Sequence, residues 1–190
     1  AAGAWMNDKF QAQKARLIMT LRGMGLMDSR VLAALENVPR ELFVPAQLRQ
    51  HSYENASLPI AYDQTISQPY VVARMTEALQ LAGRELVLEI GCGSGYQAAI
   101  LSHLCRRVYS IERLKPLLVD AENRLRDLRI SNISFRLGNG AKGWPEAAPF
   151  ERIILTCGCD KIPKILLQQL KIGGIMVAPE GHGKAQQLVV

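Results

Sequence analysis

The stretch LVLEIGCGSGYQAAIL, from Leu86 to Leu101, decides the fold. An apolar run ends in an acid, Glu89, and is followed by glycines at 91, 93 and 95 and then by helical spacing. That order reads as buried strand, tight turn and helix N-terminus. Glycines in such a turn let the backbone approach a ligand closely, and the helix end offers free N–H groups. The spacing separates one ligand from another. A dinucleotide fingerprint, G-x-G-x-x-G, requires its third glycine at position 96, where this chain has Tyr96, so a dehydrogenase reading fails there.

Downstream of this stretch the alternation continues. Strands are predicted at 86–90, 107–111, 133–137 and 152–156, with helices at 95–104, 115–128 and 163–170 between or after them. Gly173-Gly174 is expected to turn the chain into a last strand, 175–179. Apolar strands alternating with helices imply an α/β fold, a mostly parallel sheet with helices on both faces. Ligands of such sheets bind beyond the carboxyl ends of the strands. The glycine loop, Glu112, Asn139 and Thr156 all fall at such ends.

Upstream the pattern is helical. Met6–Gly25 carries Phe10, Leu17, Ile18 and Leu21 at helical spacing, Asp28 is placed to cap a short helix through Leu35, and Pro69 suits the first turn of a helix through Leu81. Pro39 and Pro45 interrupt the chain around RELFV, and an irregular polar stretch runs from Gln47 to Gln68. The expected organisation is one domain, 1–190, with N-terminal helices and a substrate loop over 6–82 and a cofactor-binding α/β core over 84–190.

Composition excludes several classes. With 190 residues, 48% hydrophobic and 21% charged, the chain can bury a real core. No apolar run reaches the roughly 20 residues of a membrane span, and the N-terminus lacks the charged-then-apolar order of a secretory signal, so a cytoplasmic protein is expected. The formal charge of +6 is spread over Arg16, Arg22, Arg30, Arg40, Arg106, Arg107, Arg124, Arg126 and others, which reads as a solvated basic surface. No aromatic residues interleave with it as a base-stacking surface would require, so no nucleic-acid partner is expected. Cys92, Cys105, Cys157 and Cys159 read as reduced thiols, and with His51, His103 and His182 they give no metal-ligand spacing.

Several residues admit two readings. Glu112, about twenty residues past the glycine loop, can accept the ribose hydroxyls of a nucleoside or can be a surface acid paired with Arg113. Asn139, between Gly138 and Gly140, can address an adenine or simply make a turn. Glu89 can bind loop amides and help orient the amino-acid end of a cofactor, or serve structure alone. Ser67, just ahead of the Pro69 helix, is a cap or a catalytic hydroxyl. GWPEAAPF, Gly143–Phe150, reads as a packed turn anchored by Trp144.

These residues, taken with their neighbours, resemble a known family. E-x-G-x-G-x-G looks like the first motif of class I methyltransferases. VPRELFVP (38–45), LPIAYDQTISQPYVVARMTEAL (58–79), GNGAKGWPEAAPFERIILT (138–156) and IPKILLQQLKIGG (162–174) are similar to bacterial protein-L-isoaspartate O-methyltransferases, with TISQP specific to them. The resemblance implies a Rossmann-like methyltransferase sheet, S-adenosyl-L-methionine as cofactor with S-adenosyl-L-homocysteine as product, and methylation of the free α-carboxyl of L-isoaspartyl residues in age-damaged proteins. The ester then cyclises to a succinimide, which opens partly to aspartate. The family alternatives are another carboxylate substrate or a non-catalytic methyltransferase-like module.

Carried onto this chain, the resemblance makes Ser67 the active-site serine. It places Gln64, Thr65 and Ile66 around cofactor and substrate, and Glu89, Gly91, Cys92, Gly93, Ser94 and Gly95 about the methionine portion. Glu112 and Arg113 fall at the ribose, and Asn139 and Gly140 at the adenine end. Thr65, Ile66, Ser67, Gln68 and Thr156 face the substrate. No metal is implied, and a monomer is expected. The nucleophile is a carboxylate, ionised at neutral pH with a pKa of about 4, so alignment rather than a strong base is required. Ser67 then acts as a hydrogen-bond donor to that carboxylate. Asn139 stands where the family usually has aspartate, which predicts weaker cofactor binding. TCGCDKIP replaces a T-A-A-like run and adds oxidisable thiols. The last two strands of the family's sheet are expected to be missing after Val190, which would expose a sheet edge.

Overall fold

A computed structural model describes residues 4–158, 161–181 and 187–190, with the backbone alone for 4–8. Cys159 and His182 lie outside the described residues.

The helical N-terminal part follows its apolar spacing. Helix α1 (Ala4–Gly23) buries Phe10, Leu17 and Leu21, and α2 (Ser29–Asn37) buries Val31, Leu32 and Leu35. Asp28 caps α2 as its position predicts, accepting from the N–H groups of Arg30 at 2.9 Å and Val31 at 3.4 Å. The expected irregular stretch before Gln68 is more ordered than its polarity suggests. A 3-10 segment covers Ala46–His51, and strands β1 (Leu58–Pro59) and β2 (Thr65–Ile66) pair as a small hairpin. Tyr62 and Asp63 turn it in the left-handed region, at φ 58° and 54°. That turn delivers Thr65–Ser67 to the start of helix α3 (Pro69–Ala78), where Pro69 occupies the first turn.

Helix α3 ends three residues earlier than Leu81. Gln80 sits at φ 49°, and the Arg152 side chain donates to the carbonyls of Leu79 and Gln80. Those carbonyls are satisfied from a distant strand, so the helix stops there.

The α/β core matches its periodicity. Strands β3 (Leu86–Ile90), β4 (Arg107–Glu112), β5 (Ile133–Leu137), β6 (Phe150–Leu155) and β7 (Leu170–Glu180) are parallel. Helices α4 (Tyr96–Ser102), α5 (Lys115–Asp127) and α6 (Lys164–Gln169) connect them. Side chains alternate between two cores. Leu88, Ile90, Ile111 and Phe150 pack on one face, and Val87, Val108, Ile154 and Val177 pack on the other with the N-terminal helices.

Two expectations at the C-terminal end change. Gly173-Gly174 does not precede the last parallel strand but lies inside it. The register jumps from Phe150↔Leu170 to Arg152↔Ile175, and a Cβ on Gly174 would stand 2.9 Å from the Glu151 carbonyl. The glycines therefore make a bulge rather than a turn. Beyond it, β8 (Gln187–Val189) pairs antiparallel with β7, so the edge expected to be bare carries one further strand.

The sheet order is β5-β4-β3-β6-β7-β8. The chain runs outward from β3 in one direction and from β6 in the other, so the carboxyl ends of β3 and β6 border the crevice where such sheets bind ligands. Among the described residues no helix is long and apolar enough to cross a membrane.

Candidate active site

Three contiguous clefts open at that crevice. The first is lined by Gln64–Ser67 on one side and by Gly91–Ser94, Glu112 and Thr156 on the other. A second continues past Glu112 and Arg113 to Asn139 and Gly140, with Ile90, Ile111, Leu155 and Leu166 as apolar walls. A third leaves from Ser67 and Thr156 and runs over Gln68, Tyr70, Val71 and Arg74 of the α3 end. Gln64 and Cys157 border all three.

The glycine loop is shaped by contacts that a side chain would destroy. Gly91 has φ 94°, and a Cβ there would lie 2.6 Å from the Thr156 hydroxyl oxygen. That hydroxyl donates to the carbonyls of Ile90, at 3.0 Å, and Gly91. Thr156 therefore fastens β6 to the loop, and its expected place beside substrate is shared with this structural bond. Gly140 is equally constrained, since a Cβ would stand 2.3 Å from Cγ2 of Ile90. A Cβ on Gly93 would meet nothing within 4 Å among the described residues, so the loop faces open space there.

Glu112 is buried and its carboxylate is held by backbone. Oε2 accepts from Gly93 N–H at 2.9 Å, and Oε1 accepts from the N–H groups of Arg113 at 2.9 Å and Leu114 at 3.0 Å. It is not paired with the Arg113 side chain among the described residues. Oε2 has one donor, which leaves it capacity for a hydroxyl of a ligand in the cleft. Asn139 accepts from Ala141 N–H at 2.9 Å, so it makes the local turn and lines the second cleft together.

The Ser67 loop carries an uncommitted hydroxyl. The residue that caps α3 is Gln68, through its backbone position and without a side-chain bond. Ser67 is not a cap, and among the described residues its hydroxyl has no partner. Half-buried, it faces the first and third clefts.

Two expected site residues stand elsewhere. Glu89 is fully buried and lines none of these clefts. It binds no loop amide; Oε1 accepts from the Ser110 hydroxyl at 2.7 Å, and Oε2 has no partner among the described residues. Burial pushes its pKa up to about 8, with Glu112 adding to the rise and Ser110 opposing it. The alternation of β3 explains this: Glu89 shares its face with Val87, beneath the loop rather than in it. Gly95 also lies outside the clefts. A Cβ there would be 3.1 Å from the Ala121 Cβ, so this glycine lets α4 approach α5. Cys92 and Ser94 do line the first cleft, where burial raises the Cys92 thiol well above its ordinary value.

Reasoning from sequence missed Arg40. Counted there as a surface cation, it is fully buried, its Nε donating to the Ser52 carbonyl and its Nη2 to the Ser67 carbonyl, both at 2.8 Å. Arg124 is likewise partly folded in, donating to the Ser94 carbonyl at 2.6 Å. The hint was position: Arg40 and Glu41 sit between Pro39 and Pro45 in the VPRELFVP run, whose other residues are apolar. Trp144 is the packed anchor expected, edge-on to Tyr109 at 5.2 Å and stacked under Arg136 at 4.1 Å. Among the described residues no group of side chains could hold a metal ion, and no histidine lines the clefts.

Comparisons with known proteins agree with this geometry. The protein-L-isoaspartate(D-aspartate) O-methyltransferase family model matches residues 12–190. A protein-L-isoaspartate O-methyltransferase of Parvibaculum lavamentivorans is 56% identical over 172 residues, 90% of this chain and 78% of that one. A solved protein-L-isoaspartate O-methyltransferase has a TM-score of 0.79 at 31% identity, covering 88% of this chain and 55% of that one. A Plasmodium falciparum chain solved with S-adenosyl-L-homocysteine has a TM-score of 0.79 at 20% identity over 93% and 87% of the two chains, a likeness of fold. The chain belongs to the protein-L-isoaspartate(D-aspartate) O-methyltransferase family.

Proposed function

We propose that this chain repairs proteins by methylating the free α-carboxyl of L-isoaspartyl residues, with S-adenosyl-L-methionine as donor and Ser67 as the hydroxyl that orients the acceptor. The observation that carries this reading is the shared first cleft, which Ser67, its hydroxyl without a partner among the described residues, lines together with the glycine loop. Family membership supports the substrate class.

The residues fit the donor. The open face of Gly93, the spare acceptor of Glu112 and the apolar slot between Ile90, Ile111 and Leu166 suit an amino acid, a ribose and an adenine in turn. When bound, S-adenosyl-L-methionine supplies an electrophilic methyl group on a sulfonium, whose sulfur leaves as a neutral thioether. The acceptor carboxylate loses no proton, so the chain needs no general base. Ser67 and the backbone around Gln64–Ile66 hold the carboxylate, and Gln64 and Cys157 line the junction of the clefts. The third cleft, along Gln68 and α3, takes the polypeptide on either side of the damaged residue.

In this reading the N-terminal part supplies the substrate loop and the part from β3 onward holds the donor. The chain works as a cytoplasmic monomer and needs no nucleic acid. The test is transfer of labelled methyl from S-adenosyl-L-methionine to an isoaspartyl peptide and to its aspartyl twin. Labelling of the first alone is expected. Labelling of neither, with donor bound, would mean another carboxylate substrate, and failure to bind donor would mean a non-catalytic module.

A further inference from the structure

Behind the Ser67 wall lies a buried cation with no counter-charge among the described residues. Arg40 is 0% exposed, and its guanidinium forms no ion pair among the described residues. Two arms reach the carbonyls of Ser52 and Ser67, the guanidinium carbon stands 4.8 Å over the Tyr96 ring, and Nη1 has no hydrogen-bond partner among the described residues. The neighbouring carboxylate, Glu41, is engaged instead by the Tyr53 hydroxyl.

This arrangement joins the two halves of the site. Ser67 carries the substrate-facing hydroxyl, and Tyr96 is the first residue of α4, directly after the glycine loop. Arg40 is bonded to the first and stacked on the second. An ion buried without a counter-charge is expensive, and two carbonyls and a ring compensate it only in part. In a low-dielectric interior its field reaches a charge one residue away.

We propose that Arg40 is a positioning residue for the methyl transfer. It clamps the Ser67 loop against the helix behind the glycine loop, and it directs an uncompensated positive charge toward the place where the acceptor carboxylate docks. This rests on the reading of Ser67 given above, and it adds that the loop is selective for a negatively charged acceptor through a residue that never touches it.

The experiment compares Arg40→Met and Arg40→Lys with the parent in the full chain. Three quantities are read: KM for an isoaspartyl peptide, the Kd of S-adenosyl-L-homocysteine, and the preference for that peptide over an analogue bearing a carboxamide in place of the α-carboxyl. Arg40→Met is expected to raise KM about tenfold and to erase most of the carboxylate preference, as loss of one charge-assisted interaction would. Its cofactor Kd should move less than about threefold. Arg40→Lys keeps the charge but not the fork, so the carboxylate preference should return while KM stays raised. Unchanged KM and preference in Arg40→Met would overturn the proposal. So would parallel loss of peptide binding, cofactor binding and melting temperature in both variants, which is the signature of a purely structural tie. If the parent itself shows no isoaspartyl methylation, the function reading fails. The carboxylate preference, measured by peptide binding, then still judges Arg40.

Discussion

Replacing Glu112 with glutamine tests the cofactor site at the point where structure and chemistry meet. The carboxylate accepts three backbone N–H groups, from Gly93, Arg113 and Leu114, within 2.9–3.0 Å. An amide offers one accepting oxygen and one donating NH2. Its best placement keeps the oxygen on Arg113 and Leu114, so the NH2 faces the Gly93 N–H and that bond is lost. The acceptor left over for a ribose hydroxyl is lost with it. Removing one such charge-assisted bond costs about 2 kcal/mol, roughly thirtyfold in affinity. Calorimetric titration with S-adenosyl-L-homocysteine should show that weakening, and amide exchange at Gly93 should accelerate without cofactor as the loop loosens. A Kd within about twofold of the parent would refute the assignment of Glu112 to the cofactor.

Three further substitutions probe the acceptor loop, the adenine end and the buried acid beneath the glycine loop. Ser67→Ala should raise KM for an isoaspartyl peptide roughly tenfold yet shift the melting temperature by no more than about 2 °C, because the hydroxyl has no partner among the described residues to lose; unchanged kinetics would remove Ser67 from the site. Asn139→Asp should keep the turn to Ala141 N–H and tighten S-adenosyl-L-homocysteine binding by roughly threefold, since a charged acceptor bonds more strongly than an amide; equal affinities would show that the asparagine carries no penalty. Glu89, with its pKa raised from 4.5 to about 8, is protonated in the fold where the unfolded chain is ionised. Its contribution is full below pH 4.5 and falls as pH rises to about 8. Glu89→Gln should therefore match the parent near pH 4 and melt higher than it at pH 8.5, and a constant difference across that range would contradict the burial of Glu89.

Legibility followed locality. The strand–turn–helix around Gly91, Gly93 and Tyr96 was readable because apolar run, glycines and helical spacing are neighbours in sequence, and Glu112 followed from a fixed strand-to-strand distance. The Asp28 cap and the Pro69 helix start likewise depend on three or four adjacent residues. Most of the misreadings involve partners far along the chain. The α3 stop depends on Arg152, more than seventy residues later. The Gly173-Gly174 bulge exists because β6 needs room for the Glu151 carbonyl. Glu89 looked like part of the loop because it adjoins it, but strand alternation turns its side chain to the opposite face, under a cover supplied by Ser110.

What the amino-acid order determined alone was the frame: a parallel sheet, a glycine loop excluding dinucleotide spacing, and a TISQP segment placed before a helix. These are properties of short-range periodicity and backbone freedom. Only the folded chain decided that Ser67 shares a cleft with the glycine loop, its hydroxyl without a partner among the described residues, that Thr156 is spent partly on holding that loop, and that Arg40 is a buried clamp rather than a surface charge. The reason is that solvation is not local. Whether a guanidinium meets water or two carbonyls depends on where Ser52 and Ser67 come to rest, and the hairpin from Leu58 to Ile66 places the second of them.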